Sequence, residues 1–128
     1  MKSVKIALIE DDAAIVDMYA TRLRMVEGFE VKVANDGISG LELIKSFSPD
    51  IVLLDMMMPR MSGMETLEHL RKLPSGKEMP VIALTNMNDP DTTKALKKFH
   101  VVDHIVKADT TPSGIVEKVN AFLKNQKS

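Results

Sequence analysis

The sequence predicts an α/β fold, a doubly wound sheet of five parallel strands with five helices. Short apolar runs rich in β-branched residues alternate strictly with longer stretches whose apolar residues recur at helical spacing. That alternation implies parallel strands joined by right-handed crossovers, with helices on both faces of the sheet. The 128 residues suit one domain, long enough to bury a core without staples. No internal repeat, low-complexity tract or Gly/Ser/Pro-rich linker divides the chain.

Val4 to Ile9 is short, apolar and β-branched, and reads as a buried strand. Ala13 to Val26 places Ile15, Val16, Tyr19, Leu23 and Val26 at helical spacing, and Gly28 stops it. Glu30 to Ala34 is a weaker, alternating strand, and Asn35-Asp36-Gly37 is a turn. Ile38 to Phe47 is helical with Leu41 and Ile44 inward, and it ends before Pro49. Ile51 to Leu54 is a continuous apolar run, the shape of a central strand covered on both faces. A loop with Pro59 and Gly63 leads to a helix from Met64 to Leu73, and Pro80 to Leu84 is another buried strand. Asp89-Pro90-Asp91 opens a helix near Thr92 to Phe99, Asp capping the free N–H groups and Pro suiting the first turn. Asp103 to Val106 is the fifth strand, and Thr111-Pro112 starts the last helix, through Val116, Val119 and Leu123. Periodicity leaves the strand order open; the flavodoxin-like order 2-1-3-4-5 is the natural candidate for five such units.

Composition removes several functions. Seventeen basic and 18 acidic residues give a net charge of -1, against a bulk electrostatic nucleic-acid or membrane-surface binder. Zero Cys excludes disulfides, thiol catalysis and Cys-ligated zinc or iron–sulfur sites. No apolar run approaches the roughly 20 residues of a membrane span, and the first residues carry no signal-peptide core, so a cytoplasmic location is expected. His69, His100 and His104 have no metal-ligand spacing. Ten Met are present, and five of them (Met56, Met57, Met58, Met61, Met64) crowd into positions 56–64, where packing is the expected role. Met64 is expected to join the core, and Met56 to Met61 to line the loop.

In open α/β sheets, sites lie beyond the carboxyl ends of the strands. Glu10-Asp11-Asp12 follow strand one, Asp55 strand three, Thr85 and Asn86 strand four, and Lys107 strand five. Carboxylates gathered this closely repel unless a cation neutralises them, and hard oxygen ligands suit Mg²⁺. A Lys and a Thr hydroxyl opposite the cation could hold a phosphoryl group, and one carboxylate could itself be the nucleophile. Asp55 fits that role, alone at the tip of the most apolar strand. Asp12 is the expected cap of the first helix.

The segment "IVLLDMMMPRMSG" (51–63) resembles the phosphoacceptor strand and loop of a response-regulator receiver domain of the chemotaxis CheY type. "KIALIEDD" resembles that family's first strand with its acidic pair, and Thr85 and Lys107 fall in the family's order and spacing. The resemblance covers essentially the whole chain and implies a single receiver domain over 1–128, with 124–128 a polar tail or the start of a linker. It further implies that Asp55 accepts a phosphoryl group from a phosphohistidine of a partner histidine kinase or phosphotransfer protein. Glu10, Asp11, Asp55 and the backbone carbonyl of Met57 then hold Mg²⁺, Lys107 contacts the phosphoryl oxygens, and Thr85 turns its hydroxyl towards them. The face of the fourth helix, fifth strand and fifth helix carries the exposed candidates Lys94, Lys97, Lys98, Lys118 and Lys124. It would change its affinity for an effector protein or for a second copy of the chain.

This sequence departs from the family pattern at several places. Ala108 follows Lys107 where Pro in a cis bond is usual, so that bond is expected either trans or strained. His104 stands where an aromatic switch residue is usual, and is expected to act as a smaller switch or to weaken it. Asn86 replaces a small residue after Thr85, and His100-Val101 replace a Gly-Ala pair. Met57 and Met87 offer no polar group to orient water, so slow self-dephosphorylation is expected. Rival readings fare worse. A haloacid-dehalogenase-type phosphatase needs Asp where Met57 stands, and flavin or dinucleotide binding needs a phosphate loop where Glu10-Asp11-Asp12 would repel it. The remaining alternative is a degenerate receiver that binds partners without phosphorylation.

Overall fold

The computed structural model describes residues 3–86 and 90–126. The elements run β1 (Val4–Ile9), α1 (Ala13–Arg24), β2 (Phe29–Ala34), α2 (Gly37–Phe47), β3 (Ile51–Asp55), α3 (Gly63–Lys72), β4 (Val81–Thr85), α4 (Pro90–Lys98), β5 (Asp103–Val106) and α5 (Pro112–Gln126). The five strands are parallel in the order β2-β1-β3-β4-β5, the candidate order above. A short 3₁₀ turn over Lys107–Asp109, which the apolar pattern does not foreshadow, follows β5.

Strand alternation divides the core into two layers. Ile6, Leu8, Leu53, Ile82, Leu84 and Ile105 pack with Tyr19 and Leu23 of α1 and with Ile115 and Val119 of α5. Ala7, Ile9, Val52, Leu54, Val81 and Ala83 face the other way, against Ile44 of α2, Leu67 and Leu70 of α3 and Leu96 of α4. Every residue of β3 and β4 is buried, as a central parallel strand requires.

Capping chemistry sets the helix starts. The Asp12 carboxylate accepts from the N–H groups of Ala14 (2.9 Å) and Ile15 (3.2 Å), as expected. Asp36 accepts from Ser39 N–H, and Ser62 forms a reciprocal capping box with Glu65. Those two caps start α2 and α3 at Gly37 and Gly63, one residue earlier than the apolar pattern suggests. The cap expected at Asp89 and the residue Met87 lie outside the described residues. All described peptide bonds, Lys107–Ala108 included, are trans.

One expectation is corrected. Met56 and Met58 do not line the loop; they are buried in the layer under α2, α3 and α4. Met56 N–H donates to Leu84 O at 2.9 Å, so the chain continues alongside β4 past Asp55 and carries Met56 into the core. Met57 is exposed, and Met64 packs partly buried against the same layer.

Gly63 anchors the return of this loop. A Cβ there would stand 2.5 Å from Met56 Cα and 2.7 Å from Asp55 O, both backbone atoms that cannot swing aside. Gly63→Ala is therefore expected to lower unfolding free energy by about 1–3 kcal/mol in urea titration. An unchanged midpoint would show that the loop yields freely.

Candidate functional site

Register brings the chemistry together. Ile9 pairs with Leu54, so the next residues along, Glu10 and Asp55, lie side by side. Asp55 pairs with Leu84, Thr85 with Val106, and Lys107 comes next on β5's path. By alternation Glu10, Asp55 and Lys107 fall on the α1/α5 side, whereas Thr85 and His104 fall on the α4 side.

Glu10 is 0% and Asp55 1% exposed. Lys107 Nζ lies 2.6 Å from Glu10 Oε1 and 3.0 Å from Asp55 Oδ1. Glu10 Oε2 accepts from Asp12 N–H at 3.1 Å, and Asp55 Oδ1 accepts from Met57 N–H at 3.0 Å. Asp55 Oδ2 is buried with no hydrogen-bond partner among the described residues. Asp11 is exposed at the rim, yet one carboxylate oxygen from each of Glu10, Asp11 and Asp55 lies within 4.8 Å of the others.

Two buried carboxylates facing one ammonium leave negative charge uncompensated. Burial pushes the Glu10 carboxyl up to about 7, and its neighbour Asp55 adds to the rise; Lys107 and Asp12 N–H oppose it. Burial alone would lower the Lys107 ammonium, but Glu10 and Asp55 outweigh it and hold that group above its ordinary value. An all-oxygen donor set with excess negative charge and an unpartnered buried oxygen fits a hard divalent cation.

Of the expected site residues, Glu10, Asp11, Asp55 and Lys107 converge. Thr85 is buried at the neighbouring strand end, its hydroxyl donating to Ile105 O at 3.4 Å. His104 is half-buried opposite Ala83, and its N–H donates to Asp103 Oδ1 at 2.8 Å. Met57 touches Asp55 through its N–H.

Three further residues escape sequence reasoning. Tyr19, buried on α1, lies within electrostatic range of Lys107, Glu10 and Asp55, and burial pushes its phenol up. The helical stripe marks Tyr19 only as core. Arg60 adopts a left-handed backbone (φ 66) and pairs with Asp36 at 3.9 Å, where Gly or Asn is the usual signal. Arg71 donates to the carbonyls of Phe99, Gly76, Met79 and His100, tying the end of α4 to the segment before β4.

A sequence profile described as the response regulator receiver domain matches residues 6–120. The chain belongs to this family. A probable C4-dicarboxylate response regulator, DctR of Priestia megaterium, is 36% identical over 107 residues, 83% of this chain and 46% of that protein. The receiver thus spans less than half the length of that curated relative. The CheY-like receiver domain protein from Methanospirillum hungatei superposes with a TM-score of 0.86 at 28% identity, covering 98% of both chains. The Mn(2+)-bound form of response regulator Rcp1 matches at a TM-score of 0.72 and 25% identity, covering 81% of each chain.

The raised Glu10 carboxyl gives the receiver a defined pH response. The folded state holds a proton that the unfolded chain has released between about 4.5 and about 7. In metal-free protein this group's contribution to stability is therefore fully present below that window. It is lost as pH rises through about 7. Glu10→Gln removes the buried charge at constant shape. It is expected to stabilise the metal-free protein by about 1–2 kcal/mol near pH ~8, and to erase the stabilisation that Mg²⁺ gives the parent. Thermal unfolding with and without Mg²⁺ reads both; a variant less stable than the parent at that pH would contradict the charge excess.

Proposed function

We propose that this receiver is a phosphorylation-dependent signalling switch in which Asp55 is the phosphoacceptor. The observation that carries the reading is Lys107 pairing with two buried carboxylates, one of which keeps an oxygen with no partner among the described residues. Asp55 attacks the phosphorus of a phosphohistidine in line. The new O–P bond forms as the P–N bond breaks, and the imidazole leaves with the electron pair. Such transfer needs positioning and charge neutralisation more than covalent help.

Glu10, Asp11, Asp55 and the Met57 carbonyl are the residues that would hold Mg²⁺. The Mn²⁺-bound relative supports a divalent ion in this fold. When bound, the ion neutralises charge on the carboxylates and the incoming phosphoryl oxygens. The chain's own residues do the rest. The Met57 N–H fixes the rotamer of the Asp55 carboxylate, leaving Oδ2 to attack. Lys107 exchanges its contact with Asp55 for one with the transferred oxygens. Thr85 gives up its bond to Ile105 O and donates to the phosphoryl group.

That movement of Thr85 starts on the α4 side of the sheet, the side on which His104 lies. His104 turns with it as a small switch, and the α4-β5-α5 face changes its affinity for an effector or a second copy. Lys94, Lys97, Lys98 and Lys124 are exposed there, while Lys118 pairs with Asp103 at 3.0 Å. The upstream partner is a histidine kinase or phosphotransfer protein in the cytoplasm. Self-dephosphorylation is slow and there is no turnover of a free substrate. The whole chain, 1–128, acts as one receiver, and residues 124–126, expected as a polar tail, are the last turn of α5.

Mg²⁺ with acetyl phosphate, or with beryllofluoride as a phosphoryl mimic, is expected to shift the spectrum of the parent and leave Asp55→Asn unchanged. Lys107→Ala is expected to slow phosphoryl uptake by about a hundredfold. If the parent shows no shift and no uptake, partner binding without phosphorylation is the correct reading.

A further inference from the structure

The three methionines after Asp55 differ in exposure. Met56 is 7% and Met58 8% exposed, whereas Met57 is 65% exposed. Met57 is also joined to the acidic site, because its N–H donates to Asp55 Oδ1 at 3.0 Å. An exposed methionine therefore has its backbone bonded to the carboxylate whose Oδ2 is buried without a hydrogen-bond partner among the described residues. A thioether sulfur is a weak acceptor, and exposed methionine sulfur oxidises to a polar sulfoxide.

We propose that Met57 is a redox modification site, at which oxidation to the sulfoxide by a peroxide shortens the life of the phosphoryl group on Asp55. This rests on Asp55 being the phosphoacceptor. In the oxidation, the peroxide O–O bond breaks and an S–O bond forms. The sulfur gives up two electrons, and the second peroxide oxygen leaves as water with both protons. The product carries a strong acceptor oxygen on a flexible arm next to the phosphorylated carboxylate. That oxygen accepts a hydrogen bond from a water and turns the water's lone pair towards phosphorus, work that a thioether does poorly. Hydrolysis then breaks the Asp55 O–P bond and releases inorganic phosphate. Buried Met56 and Met58 are shielded from the oxidant, so the loop keeps its packing. Met18, on α1, and Met25, at the C-terminal end of α1, are exposed as well and serve as internal controls.

The test treats the full chain with hydrogen peroxide and locates the added oxygen by peptide mass spectrometry. Treated and untreated protein are then loaded from labelled acetyl phosphate with Mg²⁺, and loss of the label is followed. Treated parent is expected to lose label several-fold faster than untreated parent. Met57→Leu is expected to lose label at the same rate with and without treatment, and the Met18→Leu/Met25→Leu double variant to accelerate on treatment like the parent. Met57→Gln, which supplies a polar acceptor without oxidant, is expected to accelerate loss unaided. Met57 remaining reduced while Met25 oxidises would overturn the proposal, as would a Met57 sulfoxide that leaves the decay unchanged. Untreated parent that takes up no label would overturn the Asp55 reading itself, and the redox proposal with it.

Discussion

Two carboxylates buried side by side against a single lysine form the constraint on which the rest of this molecule depends. Water would solvate such a pair at little cost; inside the protein burial, with a smaller contribution from Asp55, pushes the Glu10 carboxyl up. The fold tolerates this because the surrounding strands are apolar and well packed. Order 2-1-3-4-5 sets β1 against β3, and the register then leaves Glu10 and Asp55 level. Lys107 can reach both because its strand ends on the same side of the sheet. The site is thus a by-product of topology, and its excess of negative charge suits a cation.

Much of this was legible in the residues. Alternating periods named the class, and reading the residue after each strand found Glu10, Asp55, Thr85 and Lys107 without any view of contacts. Register was not legible, because period alone does not say which residue of one strand faces which of another. That is why the 2.6 Å and 3.0 Å contacts of Lys107 needed coordinates. The methionine loop was misread for a related reason. Met56 and Met58 follow a strand that continues past its last apolar residue, and an apolar side chain beside a proline-containing loop looks the same in sequence whether buried or not. Tyr19 was legible as core but not as a neighbour of the acidic site, and Arg71 lies in no motif.

Two departures from the family pattern, His104 and Ala108, lie in β5 and in the turn that follows it. Lys107 keeps its contacts although Ala108 follows it through a trans bond, with a 3₁₀ turn over Lys107–Asp109. His104 sits half-buried opposite Ala83, on the same side as Thr85. The proposed chemistry is therefore separable from the proposed switch. The carboxylates and Lys107 can work while the amplitude of the response at α4-β5-α5 is set by a smaller side chain. Arg71 ties the segment just after α4, through the carbonyls of Phe99 and His100, to the segment before β4, through those of Gly76 and Met79.

Carboxyl ¹³C NMR of the metal-free protein tests the central constraint most directly. The Glu10 resonance is expected to titrate with a midpoint near about 7 and to move well below it when Mg²⁺ is added. A midpoint near the ordinary 4.5, unmoved by Mg²⁺, would contradict a buried charge excess at the end of β1 and β3.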